Sequence, residues 1–208
     1  MELFLKQTMQ VKDMFSKKSK IYYLVFFLIS FQSKIFADEN ITNKTISYIQ
    51  NIKFFSASFI QDDGETIAEG NIYIGADRIR VEYFSPTKIL IVLDEDKAMY
   101  YNYDLDEDEF FNPRNTSAWF FFDIFNNPMF LNDSFIETND NNIALKKYGE
   151  NEFGEYEINI LFENNPLIIR KIELVLEDTY LILSIFNHRS DRVFDKNFFK
   201  LINPSFFD

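Results

Sequence analysis

Gly70-Asn71-Ile72-Tyr73-Ile74, followed after a short connection by Arg78-Ile79-Arg80-Val81-Glu82-Tyr83, is the stretch on which the fold turns. Ile72, Ile74, Ile79, Val81 and Tyr83 alternate with Asn71, Tyr73, Arg80 and Glu82. A period of two sends successive side chains to opposite faces of a strand. One face of this pair is therefore apolar and the other wet, as in an antiparallel sheet with one side packed. Arg78, Arg80 and Glu82 cannot share a face with the apolar set, which is expected to line the concave side of the sheet. The pattern extends in both directions. Upstream, Phe55, Ala57 and Phe59 alternate with Ser56 and Ser58. Downstream, strand-like runs occur at 88–93, 97–103, 133–138, 142–148, 155–162, 168–176, 179–187 and 192–197. Turn residues punctuate them: Asp62-Asp63-Gly64, Ser85-Pro86, Asp94-Glu95-Asp96, Asn139-Asp140-Asn141-Asn142 and Asn164-Asn165-Pro166. Many short strands at this spacing predict a mainly β protein, a barrel or a strongly curved sheet.

Two segments depart from period two. Ile41, Ile46, Ile49 and Ile52 recur at helical spacing after Asp38-Glu39-Asn40, which predicts a short amphipathic helix over 41–52. Residues 115–125 (Asn115-Thr116-Ser117-Ala118-Trp119-Phe120-Phe121-Phe122-Asp123-Ile124-Phe125) begin with capping residues and hold the only Trp. They predict a short helix, apolar nearly all round, and such a helix must be buried on more than one side. It is either a core plug or a cover.

The N-terminus reads as a targeting segment. Lys17, Lys18 and Lys20 precede the uncharged run Ile21–Phe31, and Ile35-Phe36-Ala37 ends on a small residue. A basic region, a short apolar region and a small-residue exit describe a secretory signal. Eleven residues reach about 17 Å as a helix, too short for a bilayer core of about 30 Å. Cleavage after Ala37 is expected, giving a signal peptide over 1–37 and a single domain over 38–208. An uncleaved signal anchor is the alternative, and Met14 would serve as a start as well as Met1.

The 208 residues carry 21 Lys+Arg against 33 Asp+Glu, a net charge of −12. Residues 1–37 hold six of the basic and two of the acidic residues, so their removal leaves −16. Phosphate contacts need Lys and Arg, so nucleic acid is not an expected partner. Anionic membrane surfaces repel such a chain. With no cysteine, disulfides, thiolate catalysis, Cys-ligated metals and an N-terminal lipid-bearing cysteine are excluded. His188, the only histidine, falls in Asn187-His188-Arg189-Ser190-Asp191, read as a solvated turn. Asp104, Asp106 and Asp108 have the spacing of a calcium loop. Glu109 and Asn115 stand where that loop needs Gly and Glu, so the segment reads as an acidic turn. No nucleophile elbow, zinc helix or phosphate-binding glycine loop is present. No catalytic residue, metal or cofactor is expected.

The ordered series of segments resembles the periplasmic lipoprotein carrier family, LolA, over nearly all of residues 39–204. After the helix comes Phe55-Ser56-Ala57-Ser58-Phe59-Ile60-Gln61, matching an F-x-A-x-F-x-Q strand. Gly70–Ile74 and Arg78–Pro86 match a glycine-led strand and a returning strand ending E-Y-x-x-P. Ile91–Asp94 and Tyr101–Leu105 follow, and Asn165-Pro166-Leu167 and Asn203-Pro204 fall in register. The resemblance implies an incomplete antiparallel β-barrel covered by a helical lid, with an apolar cavity between. It implies a monomeric periplasmic chaperone that is not an enzyme. Its cargo would be acylated outer-membrane lipoproteins, taken from an inner-membrane ABC transporter and passed to an outer-membrane receptor. On this reading Phe59, Ile72, Ile74, Ile79, Val81, Tyr83, Met99 and Tyr101 contact acyl chains, and Trp119, Phe120, Phe122 and Phe125 form the lid. The family's apolar cavity positions fall on Ile79 and Val81. Its lid-closing arginine falls on Gly75, so a loosely held lid is expected. The other reading is an envelope protein using the same fold for another apolar ligand or as a structural partner. The chemistry favours a container: an exposed acyl chain costs about 0.8 kcal/mol per CH₂, roughly 12 kcal/mol for sixteen carbons.

Overall fold

The computed structural model describes residues 40–207 apart from 140, 153 and 178. The signal segment, its exit at Ala37 and the choice of start lie outside the described residues. The chain divides into Met1–Ile41 and Thr42–Asp208, and the second unit holds the sheet and nearly all of the first helix.

Helix α1 (40–50) is followed by β1 (Phe55–Asp62), β2 (Ile67–Ile74), β3 (Ile79–Ser85), β4 (Ile89–Leu93), β5 (Ala98–Asn102) and β6 (Glu107–Phe111). A 3-10 turn, Pro113–Asn115, leads into helix α2 (Ala118–Asn126). Then come β7 (Phe135–Asn139), β8 (Asn142–Asn151), β9 (Gly154–Asn164), β10 (Leu167–Leu176) and β11 (Thr179–Arg189). All eleven strands form one antiparallel sheet in the order β6-β5-β4-β3-β2-β1-β11-β10-β9-β8-β7. Among the described residues the only non-sequential pairing is β1 with β11. The sheet does not close: β6 and β7 are its two edges, and the chain between them carries α2. The architecture is an incomplete antiparallel barrel covered by helices.

Register assigns the two faces. Ile72 pairs with Val81, Ile74 with Ile79, and Val81 with Ile91. These residues share the inner face with Phe59, Leu183 and Ile160. Both helices pack there. Ile46, Ile49 and Ile52 of the α1 segment are buried, which is why their spacing was helical. Tyr48 of α1 meets Phe162 edge-on at 5.9 Å, and its hydroxyl accepts the Ile169 N–H. On α2, Phe120 packs against Tyr156 at 4.9 Å.

The outer face is not uniformly wet. Residues 192–197, expected as a strand, are irregular, and the C-terminal segment crosses the outer face as a strap. Phe198 meets Tyr73 edge-on at 5.0 Å, and Leu201 packs on Leu90, Val92, Met99 and Tyr101. Asn203 Nδ2 donates to Asp108 Oδ1 at 2.8 Å. Arg80 does point away from the apolar set, yet its side chain is only 16% exposed. It lies 4.4 Å from the Phe198 ring, donates to the Phe198 carbonyl at 2.8 Å and pairs with Glu82.

Two further expectations are corrected. The acidic turn is cut short, because Glu107–Phe111 pairs with β5 as an edge strand. Its acidic composition masked a strand whose exposed residues face solvent. His188 is not in a turn but in β11, half-buried, with Nε2–H donating to the Ile169 carbonyl at 2.8 Å. Its ring lies 5.7 Å from Phe55. Burial lowers the imidazole pKa, outweighing the carbonyl's opposing pull, and Arg170 adds to the lowering.

Candidate apolar binding site

A cavity of about 210 Å³ lies between the inner face and α2. Phe59 and Gln61 of β1, Ile72 of β2, Ile79, Val81 and Tyr83 of β3, and Ile91 and Leu93 of β4 form its wall. Leu181 and Leu183 of β11 complete it, and Ser117, Ala118 and Phe121 form the roof. The alternation of Ile72, Ile79, Val81 and Tyr83 with polar neighbours therefore sets the inner surface of β2 and β3. Gly70 lets the wall close. A Cβ there would stand 2.6 Å from Phe59 Cζ and run into the Glu82 carbonyl, so the Phe59 ring lies directly on the β2 backbone. Phe59 in turn meets Tyr83 edge-on at 5.2 Å.

The wall's polar groups are sparse. Tyr83 donates its hydroxyl to Gln61 Oε1 at 2.7 Å, and burial pushes its pKa up to about 12. The phenol is neutral at any physiological pH. The pairing removes most of the desolvation penalty of two polar groups in an apolar cavity.

Five of the eight residues expected to contact a ligand line this cavity: Phe59, Ile72, Ile79, Val81 and Tyr83. Ile74 points inward but is fully buried beside it. Met99 and Tyr101 are on the other face. Met99 pairs with Val92 and Tyr101 with Leu90, which puts both with Arg80 under the C-terminal strap. They are apolar because the strap covers them. The four expected lid residues do lie on α2, but none faces the cavity. Phe120, Phe122 and Phe125 are buried, Phe122 toward a polar cleft that also holds Lys53, Asp77, Arg114 and Asp123. Trp119 packs on Phe130 at 5.7 Å, and its buried indole N–H has no acceptor among the described residues. Ala118 and Phe121, three apart on one helix face, meet the cavity instead. A run of four aromatics offers no contrast from which that face could be read. Leu181 and Leu183 line the cavity from β11, and their spacing of two is the sequence signal that marks them.

The two ends of α2 are held differently. At its C-terminal end, Lys53 Nζ donates to the Phe125 carbonyl at 3.1 Å and to Asn126 Oδ1 at 2.7 Å. Gln50 Nε2 donates to the Pro128 carbonyl at 2.7 Å. Burial lowers the Lys53 pKa, and the Asp77 carboxylate opposes that. At its N-terminal end the N-cap residue Ser117 makes no side-chain cap bond. The Ala118 N–H reaches Thr116 Oγ1 only at 3.3 Å. Arg114 pairs with Glu95 and Asp96 there, but both carboxylates are largely exposed and Arg114 is partly so, so these pairs contribute little. Gly75 makes no tie to α2. A side chain at that position would meet the ring of Phe199 on the outer face, at 3.1 Å from its Cβ. Lys53 does the holding that was sought at Gly75.

The fold, an open lid-covered antiparallel barrel, has counterparts among solved structures. An uncharacterized conserved protein of Thermus thermophilus superposes with a TM-score of 0.50 at 11% identity, covering 78% of this chain and 93% of that one. A chain of the Pseudomonas aeruginosa MucA/MucB complex gives 0.46 at 8% identity, covering 76% of this chain and 59% of that one. LprF of Mycobacterium bovis gives 0.40 at 6%, covering 76% and 95%. At such identities the likeness is of fold alone. No family model matches the sequence. No curated protein matches it either. Among the described residues, no helix is long and apolar enough to cross a membrane.

Proposed function

We propose that the chain is a periplasmic carrier that shields the acyl chains of outer-membrane lipoproteins between an inner-membrane ABC transporter and an outer-membrane receptor. The observation that carries this reading is the apolar cavity between α2 and the inner sheet face. A close-packed core would fill that space. Its polar groups, Gln61, Tyr83 and Ser117, suit a binder and not a catalyst. The resemblance in segment order and the basic-apolar-small N-terminus support export and cargo class.

The cavity of about 210 Å³ falls below the roughly 300–1,000 Å³ of drug-sized ligand sites. Loading an acyl chain therefore requires α2 to lift. The pinning at its C-terminal end makes that end the hinge, and the first turn, which roofs the cavity, the part that swings.

The test is mass spectrometry of the protein purified without detergent from its native envelope. Acylated lipoprotein should co-purify, and Phe121→Asp should lose it. Protein that is consistently empty overturns the carrier reading in favour of an envelope partner with the same fold.

A further inference from the structure

The sequence contains six arginines. Arg78, Arg80, Arg114 and Arg170 each pair with a carboxylate. Arg189 and Arg192 have no such partner among the described residues, in a chain of 33 acidic side chains. Both line one recess of about 260 Å³ on the outer face, away from the lid. No Asp or Glu lines it.

The recess is made by a β-bulge. Ser56 pairs with Arg189 and Ser58 with Phe186, so two residues of β11 face one of β1. Asn187, at the bulge, adopts a left-handed φ of 54°. Such bulges re-aim side chains next to binding sites. Asn187 Nδ2 thereby comes to 3.5 Å from Ser58 Oγ, and the Ser58 hydroxyl donates to Asn71 Oδ1 at 3.1 Å. The Arg192 N–H donates to the Phe54 carbonyl at 2.6 Å, which holds the chain after β11 against β1, and Arg192 lines the same recess as Arg189.

We propose that this recess binds a phosphate-type oxyanion. Each guanidinium offers five N–H donors in a planar fork, and Ser56 and Asn187 add neutral donors beside them. A carboxylate, with two oxygens, is satisfied by one fork. A tetrahedral oxyanion with three or more free oxygens uses two. Four arginines of the same chain found carboxylates, and these two are set together where none reaches. The volume exceeds that of the anion alone, so the organic part of a phosphomonoester or a phospholipid headgroup fits with it. This site lies on the opposite face from the cavity and does not depend on what the cavity carries.

The experiment compares the purified chain with an Arg189→Gln/Arg192→Gln double variant. Inorganic phosphate and glycerol phosphate are titrated by calorimetry at constant ionic strength, with chloride as the balancing anion. Chloride matters because any salt screens the self-repulsion of an acidic protein. Saturable binding by the wild type, weakened roughly tenfold or more in the double variant, is expected. Flotation with phosphatidic-acid vesicles against phosphatidylcholine vesicles tells the sources apart. Arginine-dependent vesicle binding identifies a headgroup, and binding of the soluble phosphates without vesicles identifies a free phosphate. No saturable binding of any of these probes, or equal binding by the double variant, overturns the proposal. Unchanged uptake of an apolar fluorescent probe by the variant shows that it is folded and that the cavity is intact.

Discussion

Phe120 and Phe121 are neighbours with opposite duties. Phe120 is 1% exposed and packs on Tyr156 and Phe130, whereas Phe121 is half-buried and meets the cavity. Phe120→Ala removes a fully buried ring and should lower stability by about 3–5 kcal/mol in urea denaturation. Phe121→Asp should lower it less, because the carboxylate faces the cavity and water can follow it. The same change should weaken uptake of an apolar fluorescent probe about tenfold, or roughly 1.4 kcal/mol. If Phe121→Asp unfolds the protein as readily as Phe120→Ala, α2 is core and not cover. Asp123 supplies a second residue-scale prediction. It is a buried carboxyl on α2, and burial raises its pKa. The Asn127 amide at 3.1 Å and Arg114 pull it back down, and Glu95 pushes it up. With the folded pKa above the ordinary 3.8, the folded state holds the proton more tightly. The penalty is full above the folded pKa and vanishes below the unfolded one. Asp123→Asn should therefore raise the urea midpoint at pH 7.5, and the gain should shrink toward pH 3.5. A gain equal at both pH values would trace to packing, not charge.

At the scale of elements, α2 is a lever pinned at one end. Lys53 makes two hydrogen bonds to its last turn from the α1–β1 connection. Hydrogen bonds from a charged donor contribute about 1.5–3 kcal/mol each. Amide exchange in the empty protein should be faster over 118–121 than over 122–126, since only the second half is tied. Lys53→Met keeps the stem and removes the donor. It should erase that difference and speed exchange across the whole of α2 by on the order of tenfold, leaving the amides of β9 and β10 unchanged. Uniform protection of α2 in the wild type would contradict the lever. The segment order was legible here: β1–β5 and β7–β11 were all anticipated, most of them because each buries one face. β6 was not, since an edge strand reading Glu-Asp-Glu-Phe-Phe shows no apolar alternation. Residues 192–197 misled in the opposite sense. Their one aromatic, Phe194, packs with Phe198 and Phe199 in the strap, which covers the outer face without joining the ladder.

For the whole molecule, a net charge of −12 stores repulsion that the sheet's ion pairs do not remove. Raising sodium chloride from about 10 to about 200 mM brings the Debye length to below 10 Å. The thermal midpoint should rise by roughly 2–4 °C, as for about 1 kcal/mol in a domain of this size. A midpoint that falls with salt would mean that the ion pairs outweigh the repulsion.

The sequence by itself determined ten of the eleven strands, which residues of β1–β3 share one apolar face and that two helices accompany the sheet. Alternation and helical spacing are local, and each is written within a few residues. It also determined the acidity of the chain and the absence of thiol chemistry, which composition settles outright. Only the tertiary structure decided what covers each face. Met99, Tyr101 and Leu90 alternate as faithfully as Ile72 and Ile79, and nothing in a period of two says which side is the cavity. The side is set by the strap from residues some hundred positions later in the chain, packing on one face, and by α2 packing on the other. The holding of α2 by Lys53 and the placing of Arg189 and Arg192 in one recess beside a bulge are likewise decided in space. Contacts between segments far apart in the chain, Lys53 with Phe125 and Arg192 with Phe54, fix those arrangements, and no periodicity along the chain records them.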